Sequence, residues 1–209
     1  MIKEIELRRS RRIFDKDYDI DNETIEDIIK AAALAPSAKN YQPWKFYVLK
    51  RRSKKEFIDY LRKYIDNPES HYVYISDRVI NRSMKMIEDC SAIVFVFDTN
   101  SKPKYFNVNN APNCNIKSVK ESFEKAVIYT SDLMDKLSIG CALQNLMLVA
   151  TEKGIDNICF GFGNYFLTEI YKYFNENSEF ITSVALGKGL EPVFSIPKKG
   201  ISEILTIKE

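Results

Sequence analysis

Four arginines fall within five residues near the start of the chain: Arg8 and Arg9, then Ser10, then Arg11 and Arg12, followed by Ile13-Phe14. A guanidinium is a planar fork of donors that stays charged, the side chain best suited to gripping a phosphate. Further along lies Ala35-Pro36-Ser37-Ala38-Lys39-Asn40-Tyr41-Gln42-Pro43-Trp44, an irregular stretch of small and amide residues whose backbone can approach a flat polar ring. Alone, the first would read as a solvated or nucleic-acid-facing patch and the second as a plain turn. In this order and spacing they point to a cofactor with a phosphate at one end and an aromatic ring at the other. FMN is the obvious one.

FMN asks little catalytic chemistry of a protein. Its phosphate is a dianion that needs charge-assisted donors. Its ribityl hydroxyls need polar partners, and its ring needs donors at O2, O4 and N5 with apolar packing on one face. Hydride transfer at N5 belongs to the flavin, so no protein acid, base or nucleophile is required. A chain with a single histidine, His71, and no nucleophile–base–acid set fits that demand. His71 reads as a surface loop residue and Trp44 as a core anchor. Cys90, Cys114, Cys141 and Cys159 form no CxxC pair, so neither a zinc site nor a disulfide framework is indicated. Cys141 and Cys159 lie in apolar runs and read as small buried hydrophobes. A redox role for Cys159 stays open, because it lies close to a glycine-bearing segment, Phe160-Gly161-Phe162-Gly163.

The 209 residues make one domain, 1–209, with a sizeable core. A net charge of +2 makes the arginine cluster a local feature, not part of a basic surface, which argues against nucleic acid as the partner. The N-terminal residues alternate charged and apolar, unlike a signal peptide. No uninterrupted apolar run approaches the length of a membrane span. A reducing cytoplasm is the expected compartment.

The elements that must position these residues follow from capping and periodicity. Asp21 caps a helix over 22–34, with Ile25, Ile28, Ile29, Ala32 and Ala33 at helical spacing and Pro36 ending it. Phe46–Leu49 is a strand. Ser53 and Glu56 match a capping box opening a helix to about Tyr64. A mixed loop spans 66–77, and 78–88 is a short helix. Ala92–Phe97 is apolar throughout, a strand buried on both faces. An Asn-, Pro- and Lys-rich loop covers 98–117, the length of a functional lid. Helical periodicity runs from Ser118 to Glu152, with a break expected near Ser138-Ile139-Gly140 and Gly154 closing it. Its 139–150 portion is apolar nearly all round, as in a buried central helix. Strands over 158–162 and 180–186 flank a helix over 168–175, and 201–207 reads as an extended arm. The order predicts an α+β fold, a mixed central sheet with helices on both faces.

Arg-Arg-Ser-x-Arg-x-Phe at Arg8–Phe14 and Ala-Pro-Ser-x-x-Asn-x-Gln-Pro-Trp at Ala35–Trp44 resemble the two N-terminal signatures of FMN-dependent nitroreductases. Ser138–Asn145 resembles that family's central helix. Leu186-Gly187, Glu191-Pro192, Pro197-Lys198-Lys199 and Ser202-Glu203-Ile204 resemble its C-terminal end. The resemblance implies an interlocked homodimer with FMN at the subunit interface. It places Arg8, Arg9, Ser10 and Arg12 at the phosphate and ribityl end, with Lys198 as a second phosphate cation where the family usually has Arg. Arg11 is left solvent-facing or intersubunit. Pro36, Ser37, Ala38 and Asn40 would line the ring from the partner subunit. Phe160, Gly161 and Phe162 would bring backbone to flavin N5. The implied reaction is ping-pong transfer of electrons from NAD(P)H through FMN to a small acceptor, a nitroaromatic or quinone. The alternative is an FMN-binding protein without general reductase turnover. Phe160 stands where many relatives carry Trp, and Lys198-Lys199-Gly200 replaces the usual Arg-Lys-Pro. The 98–117 loop matches nothing in the family pattern.

Overall fold

A computed structural model describes residues 2–67, 77–99, 117–194 and 196–208. Most of the 98–117 and 66–77 loops, including His71 and Cys114, lies outside the described residues. In chain order the elements are α1 (Lys3–Leu7), α2 (Asn22–Ala33), β1 (Trp44–Lys50), α3 (Arg51–Ile65), α4 (Asp77–Asp89), β2 (Ala92–Asp98), α5 (Lys117–Glu152), β3 (Asp156–Phe160), α6 (Leu167–Phe174), β4 (Glu179–Gly187) and α7 (Ile201–Ile204).

The four strands form one sheet in the order β1-β2-β4-β3, and every neighbouring pair is antiparallel. The expected mixed character is confined to the edge, where Ser10 makes a single parallel bridge to Asn157. Strand β2 is buried at every position, and its alternation divides the core. Ile93, Phe95 and Phe97 face α3, α4 and α6, with Phe57, Leu61, Met84, Ile87 and Ile170. Ala92, Val94 and Val96 face α2 and α5, with Ile28, Ala32, Ile139, Ala142 and Leu146. The aromatic side is braced by edge-on ring pairs such as Phe57 with Phe95 at 5.0 Å and Phe97 with Phe180 at 5.5 Å. Helices thus cover both faces, as the sequence predicts.

Local chemistry sets the helix ends. The Asp21 carboxylate accepts from the Thr24 N–H at 2.6 Å, capping α2 as expected. Ser53 is not the cap of α3: the helix begins at Arg51, and Ser53 Oγ reaches back to accept from the Lys50 N–H at 3.1 Å. Lys54 is buried and its ammonium donates to the Glu88 carbonyl, closing the C-terminus of α4.

Helix α5 runs unbroken for 36 residues, roughly 54 Å, through the expected break. Ser138 Oγ donates within the helix to the Met134 carbonyl at 2.7 Å, and a Cβ at Gly140 would meet open space. Neither residue therefore costs the helix a backbone bond. Its 139–150 portion is not buried all round: Ile139, Ala142, Leu146 and Ala150 are, while Leu143, Met147 and Val149 are half-covered. The segment Asp132–Glu152 is long and apolar enough to cross a membrane by length and composition alone, although its buried stripe packs against α2 and the sheet. At its start, the Lys136 ammonium stands among Asp132, Glu179 and Asp98 at 2.7, 2.7 and 3.5 Å, neutralising carboxylates that face each other across β2 and β4.

Strand β3 lies two residues earlier than expected, because Gly161 (φ −89°, ψ 19°) leaves the extended region and Phe162–Phe166 coils into a 3-10 turn. The C-terminal arm is partly helical: Glu203 accepts the Gly200 N–H and holds the short α7, with Leu205 extended beyond it.

Candidate functional site

The arginine cluster is fastened to the sheet edge by backbone bonds from both ends of the chain. The Arg11 N–H donates to the Asn157 carbonyl of β3 at 3.2 Å, the Asp15 N–H to Lys188, and the Leu190 N–H to Ile13. Phe14 is buried against Gly187, where a Cβ would lie 2.9 Å from its ring. The Glu191 carboxylate accepts the Arg12 N–H at 2.6 Å. One residue's spacing thus decides which guanidiniums point in and which point out.

Arg11 points in, not toward solvent. It is 7% exposed, and its Nε sits 3.8 Å from Asp156 and 3.9 Å from Glu191. Gly189 makes this possible: a Cβ there would come within 2.4 Å of Arg11 Nε. The Gly189 N–H also donates to Asp156 at 2.8 Å. Arg9 folds back onto the carbonyls of Glu6 and Arg8 at 2.6 and 2.8 Å. Ser10 gives its backbone to the bridge with Asn157 and is exposed. The side chains of Arg8 and Arg12 make no ion pair among the described residues.

Arg12 lines a cavity of about 560 Å³ that Phe160, Gly161 and Phe162 also line. The structure therefore brings one member of the cationic segment, Arg12, to the glycine-bearing turn, while Arg8, Arg9 and Ser10 do not line the cavity. Phe160 is half-buried against the aromatic core, and Phe162 is buried with its ring 4.7 Å from Phe166. Gly161 has room: a Cβ would touch only Asn164 Nδ2 at 3.2 Å. Gly163 has none, since a Cβ would lie 2.5 Å from the Phe180 ring, so that glycine serves packing. β3 is the outermost strand, and beyond the Ser10 bridge at Asn157 its edge toward this turn carries no strand partner among the described residues.

The far wall comes from α4, which sequence reasoning left without a role. Arg82, Ser83 and Met86 line the cavity there, and Asn164 and Tyr165 line it on the turn side. The legible signal was the i, i+4 spacing of Arg82 and Met86, which puts a cation and an apolar group on one helix face.

Other expected site residues lie elsewhere. The loop 36–40 docks on α5, where the Ala38 N–H donates to Ser138 Oγ at 3.2 Å. Positive φ at Lys39, Asn40 and Gln42 keeps this loop irregular. Pro36 and Asn40 are exposed, and Ser37 Oγ accepts the Gln42 N–H at 3.0 Å. Lys198 is exposed on the C-terminal arm. None of these lines the cavity within one chain. Cys141 and Cys159 are exposed, not buried. Cys159 sits on the edge strand, and its Sγ lies 3.3 Å from Thr182 Oγ1. Among the described cysteines Cys90 is the buried one, its thiol pushed up to about 12 by burial and therefore inert.

The antiparallel sheet sandwiched by helices, with its cationic cleft at one edge, is a scaffold found in known flavoproteins. The chain superposes on a BluB-like flavoprotein from Clostridium difficile 630 with a TM-score of 0.69 and 27% identity, over 99% of this chain and 98% of that one. It superposes on an FMN-dependent nitroreductase from Mycobacterium smegmatis in complex with NADPH with a TM-score of 0.72 and 16% identity, over 99% and 97%. A nitroreductase from Lactococcus lactis in complex with chloramphenicol gives 0.73 and 13%, over 100% and 99%. The nitroreductase family model matches residues 5–188, and the chain belongs to the nitroreductase family. Curated relatives match locally. An oxygen-insensitive NADPH nitroreductase of Helicobacter acinonychis is 33% identical over 89 residues, 43% of this chain and 34% of that protein. A 4-nitrobenzoate reductase of Nocardioides sp. is 41% identical over 59 residues, 28% and 24%. The matched stretches span about a third or less of those relatives' lengths.

Proposed function

We propose that the protein is an FMN-dependent oxidoreductase that passes electrons from NAD(P)H to a small acceptor such as a nitroaromatic or quinone. One observation carries this reading: the uncommitted Arg12 guanidinium and the Phe160–Phe162 turn line one cavity at an open sheet edge. FMN, when bound, supplies the hydride chemistry. The residues fit its parts. Arg8 and Arg12 carry charge with no ion-pair partner among the described residues, as a phosphate dianion requires. Arg9 and Ser10 serve by shaping the backbone beneath them, and Gly161 leaves space for close approach. Family membership, and relatives that are NADPH nitroreductases, support NAD(P)H as the donor.

The functional unit in this reading is an interlocked homodimer. Leu190, Val193, Phe194, Ile196, Ile201, Ile204 and Ile207 on the C-terminal arm are each more than half exposed, and Leu137 on α5 is 56% exposed. That much uncovered apolar surface calls for a partner, and a second copy is the simplest. Its arm would bring Lys198 to the phosphate, and its loop would bring Pro36, Ser37, Ala38 and Asn40 to the ring. A reducing cytoplasm suits the free Cys90, Cys141 and Cys159.

Purified protein is expected to be yellow with a flavin spectrum, and to oxidise NAD(P)H when an acceptor is supplied. A colourless protein that also refuses added FMN refutes the reading. Arg8→Ala combined with Arg12→Ala should release FMN while the far-ultraviolet dichroism stays unchanged. A second reading, FMN binding without general turnover, draws on the BluB-like flavoprotein at 27% identity. It is chosen if the yellow protein oxidises no NAD(P)H with any acceptor.

A further inference from the structure

Arg11 is the buried arginine of the cluster, and its Nε and Nη1 make no hydrogen bond among the described residues. What it meets is charge: Asp156 at 3.8 Å on β3 and Glu191 at 3.9 Å on the C-terminal segment. A buried ion pair of this kind adds little stability, because desolvation offsets the attraction and an apolar side chain of similar volume often packs as well. Stability alone does not account for a charge here. What the charge does is fix where the two carboxylates stand. Each carboxylate in turn holds a backbone amide: Asp156 Oδ2 accepts the Gly189 N–H at 2.8 Å, and Glu191 Oε2 accepts the Arg12 N–H at 2.6 Å. The Arg11 N–H is itself fixed to the Asn157 carbonyl at 3.2 Å. The peptides on both sides of the Arg11 Cα are thus tied, one to the sheet and one to Glu191. The second of them sets the direction in which the Arg12 side chain leaves, and Arg12 leaves toward the cavity. Without the Arg11 cation, two like charges would share one partly buried place, and Glu191, whose side chain is 22% exposed, has water to turn to.

We propose that Arg11 is a positioning residue: by holding the Glu191 carboxylate against the Arg12 N–H, it aims the Arg12 guanidinium at the anionic group of the ligand in the cavity. That this group is the FMN phosphate rests on the FMN reading above; the aiming of Arg12 does not.

Fluorescence titration of the FMN-free protein with FMN and with riboflavin, which lacks the phosphate, tests the proposal. The wild type is expected to favour FMN, and Arg12→Ala to abolish most of that preference. Arg11→Met should weaken FMN binding about tenfold, the scale of one charge-assisted bond, while riboflavin binding stays as in the wild type. In the Arg12→Ala background the same change should have no further effect, and Arg11→Lys should keep part of the advantage of FMN over riboflavin. A merely structural role gives a different pattern: equal weakening of both ligands, or an effect that persists without the Arg12 guanidinium. Either result overturns the proposal. Arg11→Gln serves the same cycle if the Arg11→Met protein does not fold. Exchange of the Arg12 amide hydrogen in the FMN-free protein needs no flavin, and it should quicken at least tenfold in the Arg11 variants that lack the charge. A protein that takes up neither flavin refutes the FMN reading; a quickened Arg12 amide then still supports the aiming, and an unchanged one overturns it.

Discussion

Two glycines separated by one residue should respond oppositely to the same substitution. At Gly163, an alanine Cβ would lie 2.5 and 2.6 Å from two atoms of the Phe180 ring and 2.8 Å from Ile170 Cδ1. All three contacts are inside van der Waals distance, and Phe180 and Ile170 are both buried, so neither can swing away. Overpacking of this kind costs about 1–3 kcal/mol. For a chain of this size that is a fall in Tm of about 2–12 °C, measured at fixed protein concentration. At Gly161, φ is negative and the only close contact is the end of the Asn164 side chain at 3.2 Å. Gly161→Ala should therefore cost less than about 0.5 kcal/mol. The methyl would nonetheless occupy the cavity wall where a flavin must come close, so FMN affinity should drop at least tenfold. Thermal melts of the FMN-free proteins, followed by FMN titration, separate the two effects. The reasoning is refuted if Gly161→Ala melts as low as Gly163→Ala, or if it binds FMN as tightly as the wild type.

Three further outcomes are expected. Ser183 is fully buried, and its Oγ has no hydrogen-bond partner among the described residues; it borders a gap too small for water between Phe160, Phe162 and the core. Ser183→Ala should therefore raise stability by about 1 kcal/mol in urea unfolding, and a comparable loss would mean the hydroxyl is satisfied. The Asp135 carboxyl is pushed up to about 6, first by burial and then by Asp98, against the pull of Lys136. The folded state then holds that proton more tightly than the unfolded one, so stability falls as pH rises from about 4 to about 6; Asp135→Asn should remove up to about 2 kcal/mol of that slope, and unchanged slopes would contradict it. Glu191→Leu removes both the acceptor of the Arg12 N–H and one of the two anions beside buried Arg11, and should cost about 2 kcal/mol with weakened FMN retention, read by melting and by filtration of the holoprotein.

Local rules carried most of the scaffold. Asp21 capping α2, the apolar run of β2 and the helical spacing of Ile25, Ile28 and Ala32 depend on neighbours in sequence, and each appears as expected. The sequence misled where a side chain's partner lay far away. Ser138 and Gly140 look like a helix break until Ser138 is seen bonding within the helix and holding the Ala38 N–H. Arg11 looks like its neighbours until Gly189, Asp156 and Glu191 are placed around it. Cys159 looks buried because its neighbours are apolar, but an edge strand exposes alternate side chains that a central strand would cover. The i, i+4 spacing of Arg82 and Met86 marks a face of α4, but nothing near Arg82 in sequence indicates that β3 ends opposite it.

The geometry of the edge explains why a site can be built there without disturbing the core. Of the arginine-bearing segment, only Phe14 belongs to either hydrophobic cluster. The rest is held by the bridge at Asn157, the bonds from Asp15 and Leu190, and the carboxylates of Asp156 and Glu191. These are long-range, hydrogen-bonded contacts with little apolar burial, the kind that open locally at less than the global unfolding free energy. A ligand that engages Arg8 and Arg12 would stabilise this segment far more than the sheet beneath it. Occupancy and local order at the sheet edge are in this way linked.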